Sequence, residues 1–202
     1  MKRSILILAL MLAAFGGAQA NEVYIEQIGD GTAITVTQEG SNNSMGSAST
    51  SAFIGGDGNT VTVDQIGSSN TLAMTIGGNA NTVTVNTNGS NNTQEITCGT
   101  SASQTCSSST ITQTVTGDSN TVTQTLGTGG TRTSNINITG DYNTVSHTAS
   151  GAGSHSADIT VTGSGTSLLN NHVSVTQEGA NAKTAVVNAT GNNINIGITQ
   201  RD

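Results

Sequence analysis

The chain has 202 residues, five of them basic and twelve acidic, for a formal net charge of −7. Charged residues make up 8% and aromatic residues 2%, with no proline and no tryptophan. That balance leaves no basic surface for a phosphate backbone and no aromatic platform for bases, so no nucleic-acid partner is expected.

Residues 1–20, MKRSILILALMLAAFGGAQA, have a basic start at Lys2 and Arg3, an apolar run from Ile5 to Phe15, and small residues ending in Ala18-Gln19-Ala20. This is the layout of a secretory signal with cleavage after Ala20. The run is too short to span a bilayer, and no cysteine follows it to carry a lipid. The expected mature chain is residues 21–202, secreted to the extracellular space or the cell surface, with 3 basic against 12 acidic residues.

Low hydrophobicity usually means disorder, because too little apolar surface is buried to offset chain entropy. The placement of the apolar residues argues otherwise. In residues 56–92, GDGNTVTVDQIGSSNTLAMTIGGNANTVTVNTNGSNN, glycines recur every 11 residues at Gly56, Gly67, Gly78 and Gly89. An asparagine stands three residues after each (Asn59, Asn70, Asn81, Asn92), and a threonine follows it. Similar spacing extends upstream to Gly29 and Gly40, and downstream to Gly117, Gly129, Gly140, Gly151, Gly163, Gly179 and Gly191. Gly129, Gly151 and Gly163 are the least distinct of these markers.

Within a unit the grammar is that of a strand. Asn59, Val61, Val63 and Gln65 share one face, and Thr60, Thr62 and Asp64 the other. A short β-branched strand and a tight glycine turn then repeat, and no helical period is visible in the mature chain. The predicted fold is all-β, a β-solenoid with half-units of about 11 residues and coils of about 22. Thirteen markers predict about six coils, a column on the order of 30 Å tall at the β-spacing. Stacking supplies each inward amide with a partner on the next rung. The predicted ladder comprises Asn21, Gln27, Gln38, Asn59, Gln65, Asn70, Asn81, Asn92, Asn120, Asn143, Asn171 and Gln177.

Cys98 and Cys106 lie in the longest interval, read as an insertion at about 93–112. Two cysteines in an exported chain most simply form one disulfide, here pinning a loop. Two thiols without a nearby histidine are too few to hold a metal. The 16-residue intervals near 41–56 and 164–179 read as shorter bulges at turns.

No enzymatic constellation emerges, and neither cofactor nor metal is expected. His147, His155 and His172 have no consistent spacing to a carboxylate or cysteine and read as surface or turn residues. Residues 55–61, GGDGNTV, superficially match a calcium β-roll, but Thr60 stands where the ligand aspartate belongs. The pairs Thr60/Thr62, Thr82/Thr84 and Thr121/Thr123 resemble the flat arrays of ice-binding solenoids, although threonine also suits any exposed strand face.

The repeats resemble those of the curlin family, subunits of bacterial curli fibres, whose pattern is Ser-x5-Gln-x-Gly-x2-Asn-x-Ala-x3-Gln. The likeness is carried by Asn21, Gln27, Gly29, Thr32, Ile34 and Gln38, with Gly40 and Asn43 opening the next unit. It recurs as Asn59, Gln65, Gly67, Asn70, Leu72 and Ile76, and again as Asn171, Gln177, Gly179, Ala182, Thr184 and Asn188. Asparagine takes the place of the family's leading serine, and the second glutamine survives only at Gln38. The resemblance implies an extracellular amyloid fibre subunit serving adhesion and biofilm matrix. It also implies a nucleating subunit and an outer-membrane secretion channel as partners. Apolar alternation at both ends, with no visible cap, predicts a head-to-tail homopolymer; Glu22, Glu26 and Arg201 read as gatekeepers of that growth. The competing expectation is a non-polymerising solenoid that binds ice or serves as a phage or host adhesin.

Overall fold

The computed structural model describes residues 20–99, 106–127 and 129–202. All but the final residue of the expected signal segment lies outside them. Regular structure begins with β1 (Glu22–Val23), β2 (Ile25–Ile28), β3 (Ala33–Ser41), β4 (Ser44–Met45), β5 (Ala52–Gly55) and β6 (Thr60–Ser68). It continues through β7 (Thr71–Ile76), β8 (Thr82–Asn88), β9 (Thr93–Cys98), β10 (Thr110–Thr116), β11 (Thr121–Leu126) and β12 (Arg132–Thr139). The remaining strands are β13 (Asn143–Ser150), β14 (His155–Thr162), β15 (Asn171–Glu178), β16 (Lys183–Thr190) and β17 (Asn195–Gln200).

These strands build two sheets. The front sheet runs β1-β4-β7-β9-β11-β13-β15-β17, with β2 and β5 continuing its first two levels. The back sheet runs β16-β14-β12-β10-β8-β6-β3. All pairing is parallel, so Thr60 lies against Thr82 and Thr82 against Thr110, with Val61, Val83 and Ile111 beside them. The chain crosses the front, turns, crosses the back and climbs one level. The protein is an all-β solenoid of about 7 turns. This exceeds the expected six, because β17 lies beyond the last glycine marker and Cys106 occupies a turn position that a glycine count passes over.

Strand alternation sorts the side chains as a half-buried strand requires. In β8 the inward Val83, Val85 and Thr87 are buried while Thr82, Asn86 and Asn88 are exposed. The buried apolar residues form two blocks, one from Met45 to Ala149 and one from Val115 to Ala189.

Two readings of the interruptions need correction. Residues 46–51 leave the column between β4 and β5, in the middle of a front arc and not at a turn. The sheet closes beneath them, since Tyr24 donates its N–H to the Met45 carbonyl and accepts from the Ala52 N–H. The cysteine insertion is shorter than 93–112, because β9 and β10 already occupy both of its ends. Residues 164–170 do leave at a turn, after β14.

Candidate assembly site: ladders, turn columns and open edges

The front arcs open on one column of asparagines, Asn21, Asn43, Asn70, Asn92, Asn120, Asn143 and Asn171, one per level. Asn92 shows the bonding unit. Its Nδ2 donates to Asn70 Oδ1 at 3.0 Å and to the Gly117 carbonyl at 2.8 Å. Its Oδ1 accepts the backbone N–H and the Nδ2 of Asn120 at 2.9 and 3.1 Å. The column closes when Asn171 Oδ1 accepts the Ile194 N–H at 2.8 Å. A second column opens the back arcs, with Asn59 bonded to Asn81 at 3.0 Å and Asn81 to the Ser109 N–H at 3.0 Å. Apart from the half-buried Asn21 these asparagines are buried, and every amide donor finds a carbonyl, which removes the cost of placing them inside.

The same bonds account for the glycines. Except at Asn143, each asparagine amide of the two columns grips the carbonyl of a turn residue one level up, and the peptide must turn that oxygen inward. At Gly67 this requires φ of +117°, and a Cβ there would collide with the Gly89 carbonyl. The turn residues stack in two columns: Gly29, Gly56, Gly78, Cys106, Gly129, Gly151 and Gly179, and Gly40, Gly67, Gly89, Gly117, Gly140, Gly163 and Gly191. Cys106 is bonded to Cys98 across 5.6 Å between Cα atoms, and both are buried. Its carbonyl receives Asn81 Nδ2 at 2.8 Å, as a glycine's would.

The glutamines behave differently. Gln38 Nε2 donates to Gln65 Oε1 at 2.7 Å, and Gln177 Nε2 to Gln200 Oε1 at 2.9 Å, so each forms a two-rung pair. Gln27 stands apart from any ladder. It lies opposite Ile54, and its amide folds back onto the Gly29 carbonyl at 2.8 Å.

A buried polar chain that sequence reasoning missed crosses the interior where the two apolar blocks part. Gln113 Nε2 donates to Gln124 Oε1 at 2.9 Å, and Gln124 Nε2 to Ser134 Oγ at 2.7 Å. Ser134 Oγ lies 2.7 Å from His147 Nδ1, and His147 Nε2 lies 3.2 Å from Gln177 Oε1. Since Gln177 Oε1 only accepts, the network assigns the proton to Nε2 and makes Nδ1 the acceptor of the Ser134 hydroxyl. Burial pushes the His147 pKa down to about 4, against a smaller upward effect of the Gln177 bond. His147 and His155 are therefore interior residues, contrary to the surface reading; His172 is exposed.

Above Ser109 the back column changes character, continuing as Arg132, His155 and Lys183. Arg132 takes over the asparagine's task, donating to the carbonyls of Gly151 (2.6 Å) and Gly153. Burial lowers the pKa of His155, and the Arg132 charge adds to that. Lys183 pairs with Asp202, whose carboxyl is held well below its usual range by the Lys183 hydrogen bond. His155 and Lys183 sit four residues after their turn glycines where Arg132 sits three, so a search at fixed spacing passes over them.

On the outer surface Thr60/Thr62 and Thr82/Thr84 stack on the back sheet, where Thr110 and Thr112 continue them. Thr121 and Thr123 belong to the front sheet and to a separate array. The front sheet carries its own rank, Thr75, Thr97, Thr125, Thr148, Thr176 and Thr199, aligned level by level. The loop 164–170 ends in Leu168 and Leu169, 92% and 60% exposed.

Both ends of the column are open among the described residues. β1, β2 and β3 have strand partners only above them, and β16 and β17 only below. Among the described residues no group of three or more His, Cys, Asp or Glu is placed to hold a metal ion. The geometry defines a parallel β-solenoid with internal amide ladders. No protein-family model matches the chain, and no curated protein or solved structure matches it.

Proposed function

We propose that the protein is a secreted, curli-like fibre subunit that polymerises into an amyloid and serves adhesion and matrix building. The supporting observation is the pair of open ends on a column whose strands pair in parallel level by level. An uncovered parallel edge carries a row of unmet N–H and C=O groups and templates further strands. The reading carries with it the export route and partners that the curlin resemblance implies, and a structural role without catalysis.

The test is to express the full chain with its leader, recover the exported product, and follow thioflavin fluorescence and sedimentation over days. Growth of sedimenting, thioflavin-positive fibres is the expected result. A product that stays monomeric while folded and β-rich overturns the reading. One observation favours a second reading in that event: the aligned threonine ranks suit an ordered-water surface, and freezing hysteresis of the monomer tests ice binding.

A further inference from the structure

We infer that successive copies join with a half-turn about the column axis, so that the back sheet of one copy continues as the front sheet of the next. The inference rests on the fibre reading and adds its geometry.

The two sheets differ in height. The front sheet reaches one level above the back sheet, because β17 lies over β15 while no described strand lies over β16, where the Asp202 carboxylate covers only the turn before it and Lys183. A copy stacked without rotation would set its β1 and β2 on β17 and leave the edge of β16 uncovered by one level. Rotating that copy by a half-turn sets its β1 and β2 on β16 and its β3 on β17. Front and back arcs run in opposite directions, so the half-turn also keeps every new pair parallel.

The register that follows is chemically matched. Ile196 meets Ile34, Ile198 meets Val36, Gln200 meets Gln38 and Arg201 meets Glu39. The glutamines carry the sharpest signal. Gln177 Nε2 donates both to the Ser156 carbonyl and to the next glutamine, and Gln38 Nε2 donates both to the Glu22 carbonyl and to Gln65. Gln200 Nε2 makes only the first kind of bond, to the Thr184 carbonyl at 3.0 Å. Its second N–H faces the level where the Gln38 Oε1 of the next copy would sit. Among the described residues that oxygen accepts no hydrogen bond. The donor sense therefore runs unbroken from Gln177 through Gln200 and Gln38 to Gln65.

Charge selects the same contact. The lowest level carries Glu22, Glu26, Asp30 and Glu39 and no basic residue. At the top Arg201 is held by Glu178 at 2.9 Å, in position to bridge to Glu39 of the next copy. Two lower ends would oppose carboxylates and are disfavoured. Of the two top turn glycines, Gly179 is covered by the Asp202 carboxylate, while a Cβ on Gly191 meets only Ile194 Cδ1 at 4.0 Å, so the turn after β16 is the open one. The joint extends the glutamine and apolar columns and interrupts the asparagine columns, where Ile194 and Lys183 stand.

Two double variants of the full exported chain discriminate the arrangements. One carries Glu39→Cys with Arg201→Cys, the other Ile28→Cys with Arg201→Cys, each assembled and treated with a short bismaleimide. The half-turn predicts dimer-and-higher ladders on a denaturing gel for the first and none for the second. Cross-linking of the second alone, or of neither, overturns the half-turn while leaving the fibre reading intact. Absence of fibres from the unsubstituted chain overturns both. A charge test guards against loss of folding in the cysteine variants. Glu39→Arg slows elongation about two- to fivefold, the effect of one exposed ion pair, and adding Arg201→Glu restores it. An unchanged rate in Glu39→Arg, or no restoration, again overturns the register.

Discussion

An asparagine at the start of an arc does four jobs with one side chain, and Asn92 shows what losing it entails. Asn92→Leu abolishes two donated and two accepted hydrogen bonds and strands the Gly117 carbonyl. At about 1 kcal/mol per bond this costs about 3–4 kcal/mol, measured as a lower urea midpoint at unchanged slope. His147 sets a pH dependence. Unfolded, it binds a proton below its ordinary value of 6.5; folded, it does so only near 4. The unfolded chain thus holds more protons across that window, and stability falls as the pH drops through it. The loss is about 3 kcal/mol, complete once the pH passes below the folded pKa. His147→Gln keeps an acceptor for Ser134 and a donor for Gln177, so its stability should be nearly flat over the same range. An equally steep profile in that variant would assign the dependence to another group.

At the scale of a turn or strand, two left-handed glycines should respond differently to the same change. Gly58→Ala meets open space at φ of +67° and pays only the left-handed penalty, about 1–2 kcal/mol. Gly67→Ala adds a collision with the Gly89 carbonyl and should exceed 3 kcal/mol, or prevent folding outright. Thermal unfolding of the pair measures the difference. Reducing Cys98–Cys106 removes an eight-residue link worth about 2–3 kcal/mol. Hydrogen exchange should show the change concentrated in β9 and β10, since each solenoid level contacts only its neighbours.

This is also the scale at which the sequence was readable. Glycine, the asparagine after it and the alternating valines are dictated by contacts between copies of the same position, so they recur and can be seen. The elements that stayed hidden obey other constraints. Cys106, bonded to Cys98, stands at a turn position that glycine holds elsewhere, so a glycine count passes over it. His155 and Lys183 follow turns one residue longer. Gln113 and Ser134 meet the register partners Gln124 and His147 across the core from the facing sheet, and no repeat records which facing residues will touch. The open edges were legible as uncapped alternation, but the unequal height of the sheets required the path of every arc.

For the molecule as a whole, the decisive quantity is how the ends behave. Seeds cut from preformed fibres should abolish the lag of fresh exported chain, because an existing edge replaces the first, unfavourable association. Unseeded and seeded thioflavin traces compare this directly, and identical lags would mean that growth does not proceed from the edges. The level spacing and the half-turn together fix one more property. The loops 46–51 and 164–170 leave the column sideways, clear of both stacking surfaces. Each copy adds seven and a half levels, roughly 36 Å of length. The loop 164–170, with Leu168 and Leu169 exposed, would then project alternately from opposite flanks, returning to the same flank about every 72 Å. A polymer of this design is a ruler, and peptides grafted at 164–170 would be presented along it at that pitch.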